Sequence, residues 1–407
     1  MFSLKTAFYL TLISLLEGLS AQNTLLPYEV VFNWKQLDYN FPNQNIKKLL
    51  INSKQFIPEN NIITGLRVYK DRVFLTVPRW REGVPSTLNY VCLNGTTDIS
   101  SSPLLIPYPS WEFQELGNCS SFQYVQSMEI DQFGRMWVID AGRVNIWTEP
   151  LNLCPPKLLL IDMEMDEVIK RYEFPDSVVG HTTNFLNDIV VACRDTKEDC
   201  FAYITDTYDS RLVVYSLKND QSWFVHHETM VADEGYNHTY FGTKLHFRMN
   251  INGIALDPRF ERVYYRSFSS FGLYSYPVSL LNEAKNGERL NDSQVFSHGP
   301  LPASLVDCYG LSRILYYGQL ANNSIAYFNT TSGRSAESSE VALAQNDMEL
   351  QIVDTLAFDN EGYLYLTANR LHRYNTRTLN FDEVNFRVIR LFIGNKSYMY
   401  SSTDGTV

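Results

Sequence analysis

The sequence predicts an all-β fold, a six-bladed β-propeller with a central channel. Three observations predict it. A short apolar strand, a turn and a second strand ending in a small or polar residue recur six times along the chain. The copies lie about 50–65 residues apart, a period that belongs to repeat architectures. A further apolar run follows each copy, so each unit holds enough strand for a small sheet.

Taken in order, residues 1–21 read as a secretory leader: Lys5 gives the positive start, and Thr6 to Leu16 is apolar but too short to span a bilayer. The propeller is expected over residues 22–393. Its lead-in holds a helix-like stretch, Asn43 to Ser53, and the strand Val30 to Trp34. That strand is suited to pair with the last blade, which removes an exposed sheet edge. The clearest repeats are Asp131 to Asp140 and Phe358 to Thr367, both with D-x-x-G turns. Weaker copies are Leu66 to Val77, Ile189 to Asp206, Ile254 to Ser267 and Leu305 to Gly318. The following runs are Thr87 to Val91, Leu158 to Asp162, Leu212 to Ser216, Leu273 to Tyr276, Ile325 to Phe328 and Leu371 to Tyr374. A second short helix is expected near Leu280 to Asn286, and residues 394–407 read as a flexible polar tail.

The chain has 407 residues, yet a closed ring of sheets makes it one domain, since each sheet buries its faces only against its neighbours. Its 26 Tyr and 24 Phe suit the pleated surfaces of strands. The net charge of −11 excludes the basic footprint that nucleic acid requires. No run after the leader is long enough to span a membrane, so the expectation is a secreted, extracellular monomer. Seven N-x-[ST] sequons, at Asn94, Asn118, Asn237, Asn291, Asn322, Asn329 and Asn395, are candidate glycosylation sites. The six cysteines, Cys92, Cys119, Cys154, Cys193, Cys200 and Cys308, are disulfide candidates in that compartment. Fifteen pairings are open, and none of the spacings is that of a zinc site.

Several stretches carry a family resemblance that covers nearly the whole mature chain. They are Trp34-Lys35-Gln36-Leu37-Asp38-Tyr39-Asn40-Phe41-Pro42, Phe56-Ile57-Pro58-Glu59-Asn60-Asn61 and Val77-Pro78-Arg79-Trp80-Arg81-Glu82-Gly83-Val84-Pro85. Arg135-Met136-Trp137-Val138-Ile139-Asp140 and Cys154-Pro155-Pro156-Lys157-Leu158 complete the set. The chain resembles the yellow / major royal jelly protein family of insects. The resemblance implies a secreted six-bladed propeller. Family roles include cuticle and eggshell pigmentation, dopachrome conversion in melanin synthesis, amine binding in the central channel, and nutrition. Phe133 stands where the family carries a cysteine, which removes one family disulfide and leaves Cys193 or Cys154 as the partner of Cys200.

The resemblance also implies a ligand site in the last blade. The family's ligand-contacting Asn falls on Asn369, its Thr on Asp354, and its two aromatics on Ile352 and Leu371. The lost rings weaken stacking, while a carboxylate at 354 offers a charge-assisted bond about twice as strong as a neutral one. The expected ligand is a small aromatic amine or catechol; a cuticle or eggshell matrix is a further expected partner. The acids Asp140, Asp206, Asp257, Asp307 and Asp354 lie near inner strands, but Asp257 precedes Pro258 as turn residues do. No metal and no cofactor is expected. No histidine, His181 and His372 included, has a carboxylate at fixed spacing, and no catalytic motif appears. Enzyme status stays open: the readings are a channel binder, a dopachrome isomerase, and a structural matrix glycoprotein.

Overall fold

A computed structural model describes residues 25–93, 102–236, 239–240, 243–244, 248–302, 307–310 and 312–400. The leader, the sequon residues Asn94 and Asn237, and residues 401–407 lie outside them, as do the side chains of Asp307 and Cys308.

Six sheets form the six blades. Blade one contains Leu66–Tyr69, Arg72–Thr76, Leu88–Cys92 and Ile106–Pro107. Blade two contains Val125–Ile130, Arg135–Asp140, Lys157–Asp162 and Glu167–Glu173. Blade three runs Leu186–Cys193, Cys200–Asp206, Arg211–Ser216 and Gln221–His226, with Glu288–Arg289 added at its edge. Blade four has Ile251–Leu256, Arg262–Ser267, Gly272–Pro277 and Phe296–Pro300. Blade five has Asp307–Tyr309, Ile314–Gln319, Ser324–Asn329 and Val341–Gln345. Blade six has Ile352–Phe358, Tyr363–Asn369 and Phe386–Phe392, and Glu29–Trp34 is its outermost strand. The lead-in strand therefore closes the ring, as the sequence predicts. Each inner strand touches those of the two neighbouring blades, and blade six returns to blade one.

The recurring Asp is a turn cap. Asp131 Oδ1 accepts the backbone N–H groups of Phe133 and Arg135, and Asp359 Oδ1 those of Glu361 and Tyr363. Gly134 has φ +72°, which a side chain rarely adopts. Packing then joins blades face to face. Trp137 and Leu160 of blade two meet Ile189, Val191 and Tyr215 of blade three. Each fully buried apolar side chain of this size contributes roughly 1.5–3 kcal/mol.

Two expectations change. Leu371 to Tyr374 is not a strand but part of a helix, Leu371–Thr376. The Asn369 side chain accepts the Leu371 N–H and starts the turn; Arg377, at φ +57°, ends it. Blade six takes its third strand from Phe386–Phe392 instead. Residues 397–400, expected in a flexible tail, pack against the floor of the channel. Tyr398 and Met399 are buried, and Tyr400 Oη donates to the carbonyls of Val68 and Phe358. A cavity of only about 30 Å³ remains above this plug, bounded by Arg67, Glu129, Val190 and Leu356.

Among the described residues two disulfides form, Cys119–Cys154 and Cys193–Cys200, and Cys92 is an exposed free thiol. The second is one of the two alternatives that Phe133 leaves for Cys200.

Candidate binding site in the channel

The inner strands of blades two, three, four and six share one irregularity. In each, two residues oppose one on the partner strand: Gln126-Ser127, Asn187-Asp188, Asn252-Gly253 and Val353-Asp354. A bulge re-aims side chains and is common beside functional sites. Here it sets a ring of equivalent positions around the axis. Blade one reaches the ring with Thr64 and Gly65. A Cβ on Gly65 would lie 2.5 Å from Thr76 Oγ1 and 2.9 Å from the Gln126 carbonyl, so this seam needs glycine.

Asp354 is the expected carboxylate. It is partly accessible, yet protein surrounds it, as befits a group lining an enclosed channel. Burial pushes its carboxyl up to about 7; the Asn369 amide opposes that shift and the charge of Asp188 adds to it. Asn369 Nδ2 donates to Asp354 Oδ2 at 2.6 Å and to the Ile63 carbonyl at 3.0 Å. Asn369 therefore both orients Asp354 and stitches blade six to blade one. Ile352 and Leu371 are buried, and pack in the cluster that holds Phe268, Leu320 and Tyr374.

The second carboxylate, Asp188, is not in the sequence-derived set. It holds in blade three the position Asp354 holds in blade six. Its Oδ1 accepts from Ser127 Oγ at 2.8 Å and from the Ile189 N–H. Burial raises its carboxyl too, opposed chiefly by Arg67. Arg67 is itself held bidentate by Glu129, at 2.9 and 3.2 Å. Asn187-Asp188-Ile189 opens its strand as Val353-Asp354-Thr355 opens blade six, an equivalence that the strand register reveals.

Above the ring lies an aromatic crown, built from residues just before the inner strands and just after the second strands. Trp80 stacks on Trp147 with centroids 3.9 Å apart, and both rings meet Tyr374. Trp80 Nε1 donates to Tyr124 Oη at 2.6 Å and Gln126 Oε1 at 3.1 Å, and Tyr124 Oη donates to the same Gln126 oxygen. Tyr124 also meets Phe185 edge-on. The crown meets the ring at Gln126, and flat rings suit an aromatic cation.

The other acids are structural. Asp140 accepts the N–H groups of Gln123, Tyr124 and Gly142 and lies 3.2 Å from Lys157 Nζ. Asp206 accepts the Phe185 N–H and faces Arg211. Asp257 caps its turn through three backbone N–H groups.

Among the histidines, His372 is buried against Tyr240, and burial beside Arg370 pushes it down to about 4. His181 bonds the Phe174 carbonyl. His226 is exposed, but His227 is buried: it accepts the Thr229 N–H at a helix start and bonds Asp292 at 2.8 Å. His227, Glu228 and Asp292 come within metal-ligand reach of one another, yet the Arg289 guanidinium already bonds both acids.

Of the described sequon asparagines, Asn118, Asn291, Asn322 and Asn329 are exposed. Asn395 is half-buried, its amide donating to Ser312 and Tyr316. No helix among the described residues is long and apolar enough to cross a membrane.

Residues 123–397 match the sequence model of the family described as major royal jelly protein. The chain is similar to the protein yellow of Drosophila yakuba and that of Drosophila melanogaster. Each is 27% identical over 369 residues, a match covering 88% of this chain and 67% of theirs. Among solved structures it is similar to a luciferin-regenerating enzyme at a TM-score of 0.47 and 13% identity, covering 84% of this chain and 96% of that one.

Proposed function

This chain belongs to the major royal jelly protein family, and on that premise we propose that it binds a small aromatic amine or catechol in the propeller channel. The observation that carries the reading is Asp354, a carboxylate with no cationic partner among the described residues, in an enclosed channel below an aromatic crown. An ammonium group placed there supplies the missing charge, and the crown receives the ring. Ionising Asp354 in the empty channel costs free energy; a bound cation offsets that cost. The proposed setting is outside the cell, in cuticle or eggshell pigmentation. The apolar leader, the two disulfides and the exposed sequon asparagines Asn118, Asn291, Asn322 and Asn329 support an extracellular glycoprotein.

The test is a thermal-shift titration with dopamine, serotonin, dopa and dopachrome, with dopachrome absorbance followed in parallel. Binding to the native state alone raises the melting temperature as the ligand exceeds its Kd. The expected result is a saturable shift with the amines that Asp354→Asn abolishes. No shift at millimolar amine would refute the reading.

One observation favours dopachrome isomerisation as a second reading. The reaction needs a base that titrates near neutrality, and burial lifts Asp354 to about 7 while it pushes His298 and His372 down to about 4. Accelerated loss of dopachrome absorbance, absent in Asp354→Asn, is its signature.

A further inference from the structure

We propose that Asp188 and Asp354 form a two-carboxylate clamp across the channel, selective for a ligand with two cationic groups, a diamine that spans the axis. The proposal rests on the amine reading of Asp354 and deepens it.

Three observations carry it. First, blades three and six are three places apart in a ring of six, so their inner strands stand opposite each other. Asp188 and Asp354 occupy the same bulge position in these two strands. The corresponding places in blades one, two and four are Gly65, Ser127 and Gly253, which carry no charge. Second, the two carboxylates feel each other's charge, and neither has an ion-pair partner among the described residues. The nearby cation, Arg67, is committed to Glu129 through two nitrogens.

Third, one face of each carboxylate remains open. Asp354 receives one side-chain donor, on Oδ2; Asp188 receives its donors on Oδ1.

The charge count then decides the class. With Arg67 and Glu129 cancelling, two ionised carboxylates leave the channel at −2. A monoamine answers one of them, and the other must keep its proton or stay buried as a bare charge. A diamine answers both, each end with a charge-assisted bond. Glu129 and Arg67 face Asp188 from blades two and one, and Asn369 faces Asp354 from its own blade. Among the described residues, Arg67 is the cation that acts on Asp188, and none acts on Asp354.

The experiment is isothermal titration of the full secreted protein at pH 8 with 1,4-diaminobutane, butylamine, dopamine and calcium chloride. The wild type is compared with Asp188→Asn and Asp354→Asn. The expected result is diamine binding at least roughly ten-fold tighter than butylamine, the equivalent of one added charge-assisted contact. Asp188→Asn should bring the diamine to within about three-fold of butylamine while dopamine affinity holds. Diamine binding no tighter than butylamine, with dopamine still bound, would overturn the clamp and leave the amine site standing. Loss of all amine binding in the wild type would remove both readings. Calcium binding that excludes the diamine, and that either variant abolishes, would overturn the clamp in favour of a metal site. The wild-type comparison stands even if a variant fails to fold.

Discussion

Asp140 and Asp354 both end up near inner strands of the propeller, yet the structure treats them in opposite ways. Asp140 is fully enclosed, accepts three backbone N–H groups and faces Lys157. Asp354 has one amide donor and no cation among the described residues, and burial lifts it to about 7. The difference lies in the strand that carries each. Asp140 ends a second strand, opposite the start of an inner strand, where free N–H groups converge. Asp354 sits in the bulge of an inner strand, where the extra residue has no ladder partner. A carboxylate at the first place holds the blade together; at the second it is left for a ligand.

The comparison breaks most visibly at Asp140. Asp140→Ala strands Lys157, which is 1% exposed, together with three N–H groups. A loss of about 3–5 kcal/mol in unfolding free energy is expected, read by denaturant titration. Asp354→Asn should do the reverse at pH 8, raising the melting temperature of the empty protein while amine affinity drops at least roughly ten-fold. A stability loss at position 354 comparable to that at 140 would erase the distinction.

The pH dependence sharpens it. Between 3.8, the ordinary carboxyl value, and about 7, native Asp354 holds a proton that the unfolded chain has released. The stability from this group is therefore full in acid and falls as pH rises through about 7. Amine affinity should move the other way, rising by up to roughly ten-fold per pH unit below about 7 and flattening above it. Calorimetry from pH 5.5 to 8.5 checks both the slope and its loss in Asp354→Asn. The smallest effect is expected at His372, already neutral at pH 7 because burial holds it near 4. His372→Gln should change amine affinity by less than about two-fold at pH 7.5.

Much of the fold was legible because propeller turns are written in local chemistry. The Asp of each D-x-x-G turn caps its own backbone, and the strand from Val30 to Trp34 closes the ring as its pattern suggested. Asp354 and Asn369 were legible from the family resemblance, and the structure joins them by a hydrogen bond. Asp188 was not, because a bulge is a relation between two strands and appears only when the register is known. The helix at Leu371 hid behind apolar residues that also suit a strand; the Asn369 side chain accepts the Leu371 N–H just before it and turns the chain. The plug at Tyr398 and Met399 was hidden for a similar reason, since its partners Val68 and Phe358 lie on strands of two different blades.

The most direct test of Asp354 as the channel's ligand carboxylate is calorimetric titration of dopamine into wild type and Asp354→Asn at pH 6 and pH 8. Tighter binding at pH 8 than at pH 6 in the wild type, with weak and pH-independent binding in the variant, is the predicted result. Equal affinity for the two proteins at both pH values would contradict it.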